Sequence, residues 1–139
     1  MKAARICGWA ALLASVACAL APTQAALARP PVSIDWRTSP LDLDLRGMNG
    51  SRYRFRCPPG KPLESLLTGS GPFTDASSIC TAAAQSGVIK ATTGGLVTIE
   101  IRPGLSGYAG TTRNFIRSNS YATRWEGSFV VIIAPAGPR

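Results

Sequence analysis

The chain has 139 residues, a formal net charge of +8 and no histidine. Its length allows one domain with a single modest core. Without histidine the chain lacks the commonest general base and the commonest metal ligand. Its seven carboxylates also offer little material for a paired-carboxylate active site. We therefore expect a protein that is not an enzyme and that uses no cofactor or metal.

Residues 1–28 are predicted to be a signal peptide. Lys2 and Arg5 precede an apolar run at residues 6–21, and small residues follow it. This is the layout of a secretory leader that is removed on export. Cleavage after Ala28 would make the protein periplasmic or secreted. Cys18 lies in a sequence that loosely resembles a bacterial lipoprotein cleavage site, so a lipid anchor at Cys18 is the alternative.

Two cysteines, Cys57 and Cys80, would remain after cleavage. An exported protein with two cysteines most simply forms one disulfide. The bridge would close a loop of about two dozen residues and contribute on the order of 3 kcal/mol to stability in the chain-entropy description.

Residues 29–50 are predicted to be a lead-in segment that contains the first strand. Leucine and aspartate alternate strictly over residues 41–45, a pattern typical of a half-buried strand. An Asn-Gly pair at Asn49 and Gly50 predicts a turn, and residues 51–57 alternate again. Together these stretches predict a hairpin whose second strand brings Cys57 into the core.

The second of these strands carries a row of arginines, Arg52, Arg54 and Arg56. On an extended strand they would share one face, with about 7 Å from each to the next. Such a row could follow phosphates or carboxylates of a ligand. We favour cross-strand pairing instead, in which Asp42 faces Arg54 and Asp44 faces Arg52.

Residues 73–87 predict a helix of about three turns. Alanines at residues 82–84 favour a helix, and Gly87 would end it. No charged residue occurs between Asp75 and Lys90, so the helix should be buried and enclosed by strands. The alternative is an ordinary amphipathic helix with a weak polar face. The candidate N-caps are Thr74, Asp75 and Ser77.

Two longer strands are predicted after the helix. Apolar residues alternate with polar ones over residues 96–102, so one face of this strand should be buried. Residues 129–133 are apolar on both faces and should lie inside a sheet. The glycine-rich residues 103–120 between them are long for a loop, and loops of this length are usually functional or disordered.

The helix sequence, Ser77-x-x-Cys80-x-Ala82-Ala83-x-x-x-Gly87, resembles the core motif of the LCCL domain family, an extracellular module. The resemblance extends over roughly residues 52–133. A second family signature is matched by Tyr108-x-Gly110-Thr111-x-x-Asn114-x-Ile116-x-Ser118, and a third by Tyr121-x-x-x-Trp125-x-Gly127-Ser128-Phe129. Three positions depart from the family pattern: Phe73 replaces a common tyrosine, Gln85 a histidine, and Phe115 a glycine.

The resemblance implies an α+β fold, in which a central helix is wrapped by short, mostly antiparallel strands. It places a single LCCL-like domain at residues 51–134, with a tail at residues 135–139. It also suggests an exported, single-domain bacterial protein.

The family association and the arginine excess predict a binding module for an anionic envelope or extracellular ligand, such as a lipopolysaccharide-like glycolipid or an acidic glycan. Peripheral contact with a membrane is a further option, and export argues against nucleic acid. The alternative is a module that binds an envelope protein during assembly, and the charge could also serve solubility alone. The predicted ligand-binding residues are Arg52, Arg54, Tyr108, Arg113, Arg117, Tyr121 and Arg124.

Overall fold

A computed structural model describes residues 29–133. The predicted signal peptide, with Cys18, and the predicted tail at residues 135–139 lie outside the described residues. The described strands are β1 (Val32–Ser33), β2 (Arg52–Cys57), β3 (Phe73–Thr74), β4 (Gly95–Pro103), β5 (Thr112–Arg113), β6 (Ile116–Arg117) and β7 (Gly127–Val131). A 3₁₀ turn spans Glu64–Leu66, and helix α1 spans Ile79–Gln85.

Five strands form one sheet in the order β1-β2-β4-β7-β3, and β5 pairs with β6 in a separate hairpin. Only the β1–β2 pair within the described sheet is parallel, and the other three pairs are antiparallel. The predicted α+β class and the mostly antiparallel pairing are therefore confirmed. The strands dominate, so a sheet that carries one short helix describes the fold better than a helix wrapped by strands.

The sheet has one buried face because β2 and β4 alternate with the period of two that a pleated strand imposes. Phe55 and Cys57 of β2, and Val97, Ile99 and Ile101 of β4, are all at most 4% exposed. The residues between them point to the opposite face. The predicted strands at residues 51–57 and 96–102 are thus confirmed, with β7 starting two residues earlier than predicted.

Helix α1 lies on the buried face of the sheet. All seven of its residues are buried, as the absence of charge predicts. Its N-cap is Ser78, whose hydroxyl accepts from the Thr81 N–H at 3.0 Å, so the three predicted caps are wrong. Thr74 belongs to β3, which shortens the helix from the predicted three turns to two. Gly87 follows the helix with φ of +82°, as predicted.

The predicted disulfide between Cys57 and Cys80 is present, with 5.8 Å between the two Cα atoms. Cys57 points to the buried face of β2 and Cys80 lies in the first turn of α1. The bond therefore fixes the helix on that face and leaves the other face of the sheet uncovered by it.

The strand predicted at residues 41–45 is wrong, and so is the hairpin that it would form with β2. This segment is a series of turns. The carbonyl of Pro40 accepts from the N–H groups of Leu43 and Leu45 at 3.2 and 3.0 Å, and the Asp42 carboxylate accepts from the Ser39 N–H at 2.9 Å. These local bonds use groups that a strand would offer to a neighbour. β2 pairs with β1 and β4 instead.

Candidate ligand-binding surfaces

The uncovered side of the sheet carries a cluster of arginines that we call the arginine face. It consists of Arg52, Arg54 and Arg56 on β2, and Arg102 with Glu100 on β4. The pairing register sets Arg52 opposite Glu100. Four guanidinium groups and one carboxylate therefore share this face.

Glu100 bridges two of these arginines. Its Oε2 accepts from the Arg52 Nε at 2.8 Å, and its Oε1 accepts from the Arg102 Nε at 2.6 Å. The hydrogen bond from Arg52, followed by the one from Arg102, lowers the pKa of the Glu100 carboxyl. The predicted pairing of Arg52 and Arg54 with Asp44 and Asp42 is wrong, because those aspartates lie in the turn segment. Glu100 takes their place as the partner of Arg52.

A shallow groove of about 400 Å³ runs along the end of the arginine face. Arg52 and Arg54 line it together with Arg29, and the exposed Val32 adds apolar surface. Guanidinium groups suit bidentate contact with phosphate or carboxylate, while the apolar wall suits a sugar ring or an alkyl chain. The groove thus combines the two kinds of contact that an anionic glycan or glycolipid offers.

Arg113 and Arg117 lie away from this face, on the β5–β6 hairpin beside the end of α1. The buried Gln85 amide of α1 donates to the carbonyls of Thr111 and Ile116 at 3.2 and 3.1 Å. Arg113 donates to the Gln85 Oε1 at 3.2 Å and to the Ser70 carbonyl at 2.6 Å. These bonds anchor the hairpin on the helix side of the sheet, opposite the arginine face.

The other predicted contact residues are Tyr108, Tyr121 and Arg124. Tyr108 and Tyr121 pair through their backbones in an isolated antiparallel bridge. Tyr108 is only 7% exposed, and its hydroxyl lies against Ser128, so it belongs to the interior. Tyr121 is 39% exposed and packs edge-on against Trp125, with 5.8 Å between ring centroids. Arg124 forms an exposed ion pair with Glu126 at 3.6 Å.

Asp75 is buried rather than a helix cap, and it joins distant parts of the chain. Arg46 donates two hydrogen bonds to its carboxylate, at 2.8 and 2.9 Å, and the Trp125 indole donates a third at 2.8 Å. Burial by itself would raise the pKa of Asp75, but the bonds from Arg46 and Trp125 outweigh burial and bring the pKa below its ordinary value. Gly127 packs so closely on this carboxylate that a Cβ there would overlap Oδ2. The cluster is therefore a structural cross-link.

The predicted binding residues therefore do not form one set. Arg52 and Arg54 share the arginine face, whereas Arg113 and Arg117 lie on the β5–β6 hairpin beside the end of α1. Arg102 was not among the predicted residues: its alternation with the buried Ile101 places it on the outer side of its strand, but its position beside Arg52 depends on the pairing of β4 with β2. No local sequence pattern indicates the role of Arg46, because its partner Asp75 lies 29 residues away in the chain.

Among residues 29–133, no group of three or more histidine, cysteine, aspartate or glutamate side chains could hold a metal ion. Nor does this part of the chain contain a helix that is long and apolar enough to cross a membrane.

Comparison with known proteins gave two findings. The family model described as the LCCL domain matches residues 34–129, which includes part of the lead-in segment. Cochlin from Cavia porcellus is 41% identical over 102 residues, which cover 73% of this chain and 17% of cochlin. The chain therefore corresponds to less than a fifth of that relative. Neither comparison indicates a catalytic family.

Proposed function

This chain belongs to the LCCL domain family, and we propose that it is a non-enzymatic binding module for an anionic ligand outside the cytoplasm. The ligand class that we favour is a phosphorylated, lipopolysaccharide-like glycolipid or an acidic glycan of the cell envelope. The observation that carries the proposal is the arginine face, on which four guanidinium groups accompany a single carboxylate, Glu100.

The arginine face retains hydrogen-bonding capacity for a ligand. Glu100 engages the Nε atoms of Arg52 and Arg102, whereas a guanidinium has five N–H donors in all. The side chains of Arg52 and Arg102 are 52% and 46% exposed, respectively. Neighbouring arginines along β2 are about 7 Å apart, so a ligand with several anionic groups could contact more than one of them.

The disulfide supports a location outside the cytoplasm. Such bonds form and persist in oxidising compartments and are rare among reduced cytosolic proteins. The bond between Cys57 and Cys80 and the family assignment are both consistent with a secreted or periplasmic protein. A periplasmic location in particular is part of the proposal.

The test is a titration of the protein with a phosphorylated glycolipid and with an acidic polysaccharide at low and high salt. We expect binding that weakens with salt, because exposed charges are screened. Arg54→Gln combined with Arg56→Gln should weaken binding on the order of tenfold while leaving the Glu100 bridges intact. Arg37→Gln combined with Arg124→Gln is the matched control, since it removes the same charge from two exposed residues outside the arginine face.

Equal losses in the double variant and the control would show diffuse charge attraction and contradict the proposal. An absence of binding at low salt, together with specific recovery of an envelope protein, would favour the alternative function as an assembly module.

A further inference from the structure

Phe115 stands at the tip of the β5–β6 hairpin with 99% of its surface exposed. Its φ is +64° and that of the preceding Asn114 is +52°, both in the left-handed region. A bulky side chain in this region is uncommon and unfavourable. A fully exposed phenylalanine also contributes nothing to the core. Folding therefore does not explain this residue, and strain of this kind is often found at functional positions.

The turn that holds Phe115 is rigidly attached to the protein interior. The Asn114 side chain donates to the Gln85 carbonyl at 2.7 Å, and Gln85 is itself fully buried. The Gln85 amide in turn donates to the carbonyl of Ile116 at 3.1 Å, and Ile116 is 7% exposed. Phe115 thus projects from a fixed base between two anchored residues.

The surroundings of Phe115 are apolar and cationic. A groove of about 420 Å³ adjoins it, lined by Pro62, Ile89 and Ala91 with Lys90 among them. Arg113 and Arg117 flank the turn and are exposed. The acid that contacts the hairpin is Glu64, whose carboxylate accepts from the Arg117 N–H at 2.8 Å.

We propose that the Phe115 turn inserts into the interface of a bilayer that contains anionic phospholipid. Phe115 enters the acyl boundary, while Lys90, Arg113 and Arg117 contact the lipid phosphates. An apolar tip ringed by cations matches the order of layers in such a membrane, where apolar chains lie beneath anionic headgroups. A pocket on a partner protein would account for the aromatic ring alone and would not require the cations.

This inference does not rest on the arginine face, which lies on the opposite side of the sheet. A flat membrane in contact with the Phe115 turn would leave the arginine face directed away from it. The two surfaces can therefore be tested separately, and either can fail alone.

The experiment uses sedimentation with vesicles of phosphatidylcholine, with and without phosphatidylglycerol. The wild-type protein should bind only the vesicles that contain phosphatidylglycerol, and Phe115→Ser should weaken that binding about tenfold. Met48→Ser is the matched control, because Met48 is 50% exposed in another turn, and it should bind as the wild type does. The variant with Arg54→Gln and Arg56→Gln should also bind these vesicles normally.

A second measurement locates the side chain. In Phe115→Trp, brominated phosphatidylglycerol should quench fluorescence beyond the level seen with the wild-type tryptophans. Equal vesicle binding by Phe115→Ser and the wild type would overturn the inference, as would the absence of extra quenching in Phe115→Trp. The inference would likewise be overturned if the wild type bound no vesicles but bound a partner protein that Phe115→Ser no longer binds.

Discussion

Among single residues, Asp75 and Phe115 are opposite extremes of exposure to solvent. Asp75 is fully buried, and its carboxylate accepts three hydrogen bonds from Arg46 and Trp125. Phe115 is fully exposed and lies in a left-handed conformation. Stability should therefore depend on the polar residue and hardly at all on the apolar one, the reverse of what residue type alone suggests.

Asp75→Asn should lower the free energy of unfolding by roughly 2–3 kcal/mol at pH 7. The substitution leaves the Arg46 guanidinium without its carboxylate, and breaking a buried pair by removing one partner is costly. The expected loss is smaller than for a fully buried ion pair, because the Arg46 side chain is 36% exposed. Urea unfolding measures the change, and Glu126→Gln, which alters an exposed carboxylate, should cost less than about 0.5 kcal/mol.

The cost of Asp75→Asn should also depend on pH. The pKa of Asp75 in the folded protein lies below its ordinary value, which is about 4 in an unfolded chain. The charged carboxylate therefore contributes its full stability above pH 4 and loses it as the pH falls through the lower folded pKa. The difference between wild type and variant should shrink between pH 5 and pH 2 in urea unfolding. A constant difference over that range would contradict the ion pair.

Phe115→Gly should leave the stability unchanged or raise it slightly. Glycine relieves the left-handed strain of about 1 kcal/mol and loses a similar amount through the greater freedom of the unfolded chain. Phe129→Ala provides the contrast, because Phe129 is 0% exposed and its truncation should cost about 3–5 kcal/mol. Thermal unfolding compares the two. A large loss of stability in Phe115→Gly would show that Phe115 has a structural role.

At the scale of elements, the disulfide between β2 and α1 holds a two-turn helix that is too short to be stable alone. The two cysteines are 23 residues apart. Replacing both by alanine should lower the free energy of unfolding by about 3 kcal/mol in the chain-entropy description. Urea unfolding of this variant and of the wild type checks the value. The wild type with added reductant should shift towards the variant, and a variant as stable as the oxidised protein would contradict the prediction.

The elements also show which parts of the fold the sequence could predict. The alternation of β4 and the lack of charge in α1 indicate burial directly, so the sequence predicts the burial of both, although not the length of the helix. The strand that the alternation predicts at residues 41–45 is wrong, because side-chain bonds such as the one that the Ser39 N–H donates to the Asp42 carboxylate favour turns there. Arg52 donates to Glu100, which lies 48 residues further along the chain. Such a pairing depends on sheet order, which local pattern does not encode.

At the scale of the whole molecule, the positive charge is divided between two sides of one sheet. The arginine face lies on the side that α1 leaves uncovered, while Arg113 and Arg117 flank Phe115 on the helix side. One side suits the anionic glycan part of a ligand, and the other suits the surface of an anionic membrane. The sequence predicted arginines from both sides as a single set, because their separation depends on the position of the β5–β6 hairpin beside α1.

We infer that the arginine face is the binding surface for an anionic ligand. A titration with a phosphorylated glycan, with the arginine Nε–H signals followed by NMR, tests this claim. We expect the signals of Arg54 and Arg56 to shift, together with those of Arg52 and Arg102 as they exchange Glu100 for the ligand. Signals of Arg37 and Arg124 should stay in place. Shifts confined to Arg113 and Arg117, or spread evenly over all arginines, would contradict the claim.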